Sequence, residues 1–345
     1  MLTFILYKGD IKMNTNDKIL VVGGAGYIGG AVTDILIAKG VNFLVYDNLT
    51  YERDFRKPVP FVFGDILDTE KLLKVMNTYK PTAIIWLAAM VGDGACKVNP
   101  ELTIKINQDS VKWLSEHYDG RIVFTSSCSA YGQGKDILYE DSPKNPLSLY
   151  AVTKLKAEDY LKNKNAAIFR LGTLFGVSDA FSRIRFDLVV NILALKATRA
   201  EPLTVYGGEQ WRPLLHVKDA AKAIVGAALP ITKDKTIPPG TYNLNFRNMT
   251  IRELADDIAQ VYEGHDKPKI EYLDISFEDE RNYRVSTDRY EALPGHETFT
   301  LDVKDGVSEI RDLIIEGRIK DPLDPNHHNA KFIEEKFIAD AKSKK

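Results

Sequence analysis

The sequence predicts an α/β protein: a doubly wound parallel sheet with a smaller α/β C-terminal lobe. Three observations predict it. Short apolar runs of strand length alternate with helical periodicity from residue 18 to about 175, the pattern of a parallel sheet covered on both faces. The first apolar run leads directly into a glycine-rich turn that opens a helix. Beyond residue 175 the alternation loosens, although amphipathic segments continue, and 345 residues are enough for two units.

The elements follow in order. Residues 1–16 read as an N-terminal appendage, with an extra edge strand over 2–7 as the alternative. The structured chain is expected to start near Asp17. A buried strand covers 19–22, and a helix over 27–39 stops at Gly40. Strands are predicted over 42–46, 61–63 and 83–87, with a helix over 69–78. A long helical stretch covers 100–118. A strand over 121–125, a helix over 148–162 and a strand over 166–170 complete the sheet unit, with right-handed crossovers.

After the sheet unit, helices are predicted over 185–197 and 217–229, and strands over 203–205 and 240–244. Residues 236–240, TIPPG, form a turn. A helix over 250–262 is capped by Thr250, with Glu253 closing a capping box. The expected organisation is a sheet domain over 17–176 with 214–246 returning to it, a lobe over 177–213 and 247–320, and a solvated polar tail over 321–345. His327-His328 belong to that tail, and no metal site is expected.

Composition removes several function classes. With 46 Lys and Arg against 48 Asp and Glu, the net charge is −2, which disfavours a nucleic-acid or membrane-surface binder. Two cysteines, Cys96 and Cys128, are too few for a disulfide framework or a Cys-rich zinc site. Apolar runs fall short of the roughly 18 residues that span a bilayer, and the N-terminus lacks the features of a signal peptide. A cytoplasmic protein is expected.

Gly23-Gly24-Ala25-Gly26-Tyr27-Ile28-Gly29 follows the first strand and opens the first helix. Its glycines allow a tight turn, close approach of a pyrophosphate and close helix–strand packing. The helix N-terminus adds free N–H groups and the positive end of a dipole. Asp47 stands 18 residues past Gly29, at the end of the second strand. A carboxylate there accepts hydrogen bonds from an adenosine ribose and repels a 2′-phosphate, so NAD is favoured over NADP. Asn48 follows it. Asp65-Ile66 ends the third strand and faces the adenine edge, and the small residues of Leu87-Ala88-Ala89 let a dinucleotide lie against the fourth.

Tyr150 and Lys154 are four residues apart and share one helix face. A phenol with a pKa near 10 is a poor base at neutral pH. A nearby ammonium and an oxidised nicotinamide would favour the phenolate, so that Tyr150 takes a proton from a hydroxyl as hydride leaves the same carbon. The hydroxyl-rich strand end TSSCSAYG, residues 125–132, supplies a second hydrogen bond to the reacting oxygen.

In these residues the chain resembles the extended short-chain dehydrogenase/reductase family, and within it the NAD-dependent nucleotide-sugar epimerases and dehydratases. GGAGYIGG, the acid of VYDNL, GDI, LAA, TSSCSAYG, YAVTK, RLGTLFG, WRPLLHVKDAAKAI and GTYNLN appear in family order over about residues 18–318. The resemblance implies a Rossmann fold, bound NAD and a nucleotide-diphosphate-sugar substrate. It implies Tyr150 as general base, Lys154 as its assistant and Ser127 as the hydroxyl that steadies the reacting oxygen. Asn107 resembles the Asn of the helix behind the site, while Arg212 and Arg281 resemble the arginines that grip the substrate diphosphate. The relatives that dimerise pack two long helices per subunit, and the matching stretches here are 100–118 and 148–162.

The chain departs from the family in places. The Asp-Glu pair of the 4,6-dehydratases is replaced by Cys128 and Ser129, which disfavours elimination of water. The Cys of the 3,5-epimerase/reductases is displaced by one position. Asp93, Cys96 and Lys97 follow the fourth strand and are expected to border the sugar. Thr173 stands where the family has a substrate-binding Asn. The expected activity is a nucleotide-sugar 4-epimerase working through a transient 4-keto sugar. The alternatives are a 4-dehydrogenase or reductase that releases its product, then a dehydratase, then a non-catalytic NAD-binding regulator.

Overall fold

The computed structural model describes residues 17–52, 55–230, 236–263, 267–273 and 281–343, with side chains to residue 338. The appendage expected over 1–16 lies outside the described residues. The chain runs β1 (Lys18–Val22), α1 (Tyr27–Ala38), β2 (Asn42–Asp47), β3 (Phe61–Phe63), α2 (Thr69–Tyr79) and β4 (Ala83–Trp86). Next come α3 (Asp93–Val98), α4 (Pro100–Ile104), a π-helical turn (Lys105–Asp109) and α5 (Ser110–His117). They lead to β5 (Arg121–Ser127), β6 (Gln133–Leu138), α6 (Leu149–Leu161), β7 (Ala166–Leu171) and β8 (Thr173–Phe175). The remainder is α7 (Val189–Thr198), β9 (Leu203–Tyr206), β10 (Trp211–His216), α8 (Val217–Ala228), β11 (Gly240–Leu244), β12 (Arg247–Thr250) and α9 (Ile251–Gln260), then β13 (Ile270–Leu273), β14 (Asn282–Val285), α10 (Asp288–Glu291), α11 (Val303–Ile315) and α12 (Asn329–Ser343).

Seven strands form one parallel sheet in the order β11-β7-β5-β4-β1-β2-β3. Its inner strands are buried on both faces, and their side chains alternate between the two. Ile19 and Val21 of β1 join one apolar cluster with Val45, Ile85 and Phe169 under α1 and α8. Leu20 and Val22 join the other, with Trp86 and Phe124. This period-two division is what a doubly covered sheet requires. Strand order reverses at β1 and β4, so the crevice at their C-terminal ends is the topological switch point.

A third cluster, with Phe186, Leu193, Leu254 and Val307, forms the core of the lobe. Three small sheets, β12-β10-β8, β13-β9 and β14-β6, tie the lobe to the strand ends. Thr250 and Glu253 close the expected capping box of α9.

Two expectations are corrected. The helix predicted over 185–197 starts only at Val189, and Arg185 and Phe186 are buried before it. Over its described side chains, 321–338, the segment read as a polar tail is docked on the fold and not wholly solvated. Its helix α12 packs on α3, Ile333 is buried against Met90, Ala95 and Cys96, and Asn329 is 3% exposed. No described helix is long and apolar enough to cross a membrane.

Candidate active site

The loop after β1 has to lie against the end of β4. Gly23 has φ of +82°, and a Cβ there would meet Ala88 N at 2.4 Å. Only glycine fits this close approach. At Gly29 a Cβ would lie 2.4 Å from Gly24 O, so the helix starts flush against the loop. Asp47 fixes the loop from the next strand. Its carboxylate accepts from Ala25 N at 3.0 Å and from Leu49 N at 2.7 Å. Burial pushes its pKa up despite these donors. Asp65 accepts from the Asn48 amide at 2.9 Å.

Helix α6 carries the proton-transfer pair. Ser148 caps it by accepting from Ala151 N, which puts Tyr150 in the first turn. One turn beyond Lys154 on the same face, Glu158 accepts from Ser126 Oγ at 2.5 Å and pairs with Arg170 at 2.6 Å. This buried network of β5, α6 and β7 locks the helix against the strand that ends in Ser127. Lys154 Nζ donates to Thr125 O at 2.8 Å and lies 5.9 Å from the centre of the Tyr150 ring.

Burial pushes the Tyr150 phenol well above its ordinary value, the neighbouring Cys96 and Asp93 add to this, and Arg185 and a hydrogen bond with Ser127 oppose it. Burial also lowers Lys154 to about 8. Arg185, which sequence reasoning assigned to a helix, is thus a cation whose charge acts on the phenol.

One cavity of about 770 Å³ collects these groups, toward the top of the roughly 300–1,000 Å³ range of ligand sites. Gly23, Gly26, Tyr27, Ile28 and Gly29 line one end, with Asp47, Asn48, Asp65 and Ile66 beyond them. Leu87, Ala88 and Ala89 form the floor, and Ser127, Tyr150 and Lys154 stand at the centre. Asp93, Thr173, Arg212 and Arg281 face the lobe end. There Asp93 Oδ2 pairs with Arg281 at 3.1 Å, while its Oδ1 is buried without a hydrogen-bond partner among the described residues. Arg212 donates to Trp211 O at 2.9 Å and also to Arg281 O. A glycine cradle that a Cβ would block, a carboxylate at the end of β2 and small residues at the end of β4 suit a dinucleotide.

Both cysteines are corrected. Cys96 is fully buried and donates to Met90 O at 3.4 Å; burial pushes its thiol up to about 12. Cys128 is 1% exposed and donates to Arg170 O at 3.1 Å. Neither lines the cavity. Asn107 sits in the π-helical turn, which turns its amide onto Met90 and Thr153. Residues absent from the sequence reading also line the cavity: Tyr51, Glu52, Arg183, Arg185, Asp187 and Asn329.

The sequence profile of the NAD dependent epimerase/dehydratase family matches residues 19–244. The chain belongs to that family. A UDP-glucose 4-epimerase of Streptomyces lividans is 29% identical over 284 residues, 73% of this chain and 83% of that protein. A putative UDP-glucose 4-epimerase of Methanocaldococcus jannaschii is 29% identical over 80% of this chain and 95% of its own. The crystal structure of UDP-glucose 4-epimerase from Brucella ovis in complex with NAD superposes with a TM-score of 0.70 at 25% identity, covering 84% of this chain and 96% of that one. As a member of the epimerase/dehydratase family, the chain is an NAD-dependent enzyme acting on nucleotide sugars as an epimerase or a dehydratase.

Proposed function

We propose that the chain is a nucleotide-diphosphate-sugar 4-epimerase. The observation that carries this reading is the convergence of Tyr150, Ser127 and Lys154 beside the glycine cradle, with Cys128 turned into the core where a dehydratase would need a carboxylate. Ser129 takes the second of those positions, and its hydroxyl donates to Ser127 Oγ at 2.8 Å.

NAD⁺, held by the glycine cradle and Asp47, would accept and return the hydride and would bring a positive charge to the site. In the proposed mechanism Tyr150 takes the proton of the sugar 4-hydroxyl and Ser127 holds the oxygen. The transient 4-keto sugar would turn to present its other face, and Tyr150 would return the proton to the same oxygen. Lys154 orients the cofactor ribose. Arg212 and Arg281 hold the substrate diphosphate through charge-assisted hydrogen bonds, and Thr173 and Asp93 border the sugar.

The relatives are named for UDP-glucose, so UDP-glucose is the first substrate to test. The expected result by NMR is conversion to the 4-epimer with no net change in nicotinamide absorbance. Net absorbance change with release of an oxidised sugar would support the 4-dehydrogenase instead, and loss of water the dehydratase.

The same reading places the enzyme in the cytoplasm as a homodimer that pairs through 100–118 and 148–162. Val152 is exposed on α6 and Trp113 is partly exposed on α5. Light scattering should give twice 38.8 kDa.

A further inference from the structure

The segment after β8, residues 176–188, is fastened to the first turn of α1. Tyr27 Oη donates to Gly176 O at 2.6 Å, and Ala31 N donates to Ser178 Oγ at 2.9 Å. The buried Lys57 Nζ bonds both Gly30 O and Asp179 Oδ2 at 2.7 Å. The N-terminus of α1 is where the glycine loop offers its amides to a diphosphate. The segment therefore carries its side chains up to that position.

Two of those side chains are arginines. Arg185 is 8% exposed and holds Asp187 through two parallel bonds of 3.0 and 2.9 Å. Its charge acts on both Tyr27, in the cradle, and Tyr150, the candidate base. Arg183 lies 4.8 Å from the Tyr51 ring centre and donates to Asn326 O at 2.8 Å. Against these two cations stand Asp187 and Glu52. Burial pushes Glu52 up to about 8, which weakens its opposition to the two arginines. The cavity's other arginines, Arg212 and Arg281, are tied to each other and to Asp93 at the lobe end.

The C-terminal segment completes the cluster. Asn329 Oδ1 accepts from Arg183 Nη2, its backbone N donates to Asp187 Oδ2 at 3.2 Å, and its Nδ2 donates to Val91 O at 2.9 Å. Asn329 thus joins Arg183 and Asp187, the partner of Arg185, to Val91 in the segment after β4. Phe186 N donates to His327 O at 2.9 Å, which fixes the segment alongside.

We infer that Arg183 and Arg185 bind the diphosphate of the cofactor, and that Asn329, from beyond the family-matched region, is the positioning residue that holds them there. The structural alternative is a staple between two segments with no ligand role.

The test is NAD binding by calorimetry to full-length protein freed of copurified cofactor, with no sugar nucleotide present. A second arm measures adenosine binding by ligand-observed NMR, since adenosine lacks the diphosphate. Arg185→Gln should weaken NAD about tenfold or more, as for loss of a charge-assisted contact, and Asn329→Ala about three- to tenfold. Adenosine affinity should stay near wild type in the folded variants, while melting temperature falls, because each change leaves a buried polar partner unpaired. Arg185→Lys keeps the charge and should lie between wild type and Gln, which keeps the proposal testable if the Gln variant folds poorly. Unchanged NAD affinity in folded variants would overturn the proposal, as would equal loss of NAD and adenosine. A rise only in KM for the nucleotide sugar would overturn it too, and would assign the arginines to the substrate. The first arm contains no sugar, so its failure leaves the epimerase reading untouched.

Discussion

Asn107 holds both polar atoms of the Met90 backbone. Its Oδ1 accepts from Met90 N at 2.8 Å and its Nδ2 donates to Met90 O at 2.9 Å. The π-helical turn makes this possible by adding a residue to the helix, so that the amide points across to the end of β4. Asn107→Ala leaves a buried peptide group unpaired. It should cost about 2–4 kcal/mol in urea unfolding and lower kcat by displacing the segment that leads to Asp93. Wild-type stability in the variant would show that the turn holds its shape without the amide.

Tyr150→Phe should lower kcat by about 10²–10⁴-fold, the usual range for a general base, with NAD affinity near wild type. The base acts when deprotonated, and burial raises the phenol. The wild-type rate should therefore rise with pH from neutral into the alkaline range, and the Phe variant should lose that rise. Near-full turnover by Phe would move the base elsewhere, with Asp93, whose charge acts on the phenol, next in line.

NAD should bind at least about tenfold more tightly than NADP, because a 2′-phosphate would approach the Asp47 carboxylate at close range. Asp47→Asn should narrow the gap. Calorimetry that finds NADP equal or tighter in the wild type would remove Asp47 from the ribose site.

Glu309 links α11 to α8. It pairs with His216 at 3.0 Å and Lys218 at 2.6 Å. Burial alone would raise its pKa, but the hydrogen bond and charge of His216 and the charge of Lys218 outweigh this and hold it near 2. A carboxyl depressed on folding adds stability above its unfolded value of about 4.5, and that stability is lost as pH falls toward 2. The contribution is on the order of 2–3 kcal/mol. The stability gap between wild type and Glu309→Gln should close across that window. A gap that stays constant would mean the pair does not titrate with folding.

The parts of the site that were legible in the sequence are local. The glycine spacing, the acid at the end of β2 and the Tyr150–Lys154 interval each depend on one turn or one helix face, so the chain order alone displays them. Arg185 was not legible, because its apolar neighbours continue the helical period of α7 while its ion pair with Asp187 turns the backbone out of it. Asn329 was read as solvated because a polar residue in a Lys-rich stretch shows nothing of partners at Val91, Arg183 and Asp187. Strand β10 carries Pro213 and was seen only as a motif, since proline argues against a strand that pairs on both sides. The pairing of β6 with β14 joins short, polar segments more than a hundred residues apart, which no local pattern reveals.

Asn329 comes 85 residues after Leu244, the end of the last strand of the seven-stranded sheet. Chains fold as they are made, N-terminal parts first. The sheet and its glycine loop are thus complete on the ribosome while the stretch bearing Asn329 is still unmade. A nascent chain can shape the cradle early, yet it closes the wall around it only once the later stretch bearing Asn329 has been made. Cofactor loading would then act as a late checkpoint in biogenesis, reached by chains whose C-terminal segment has docked.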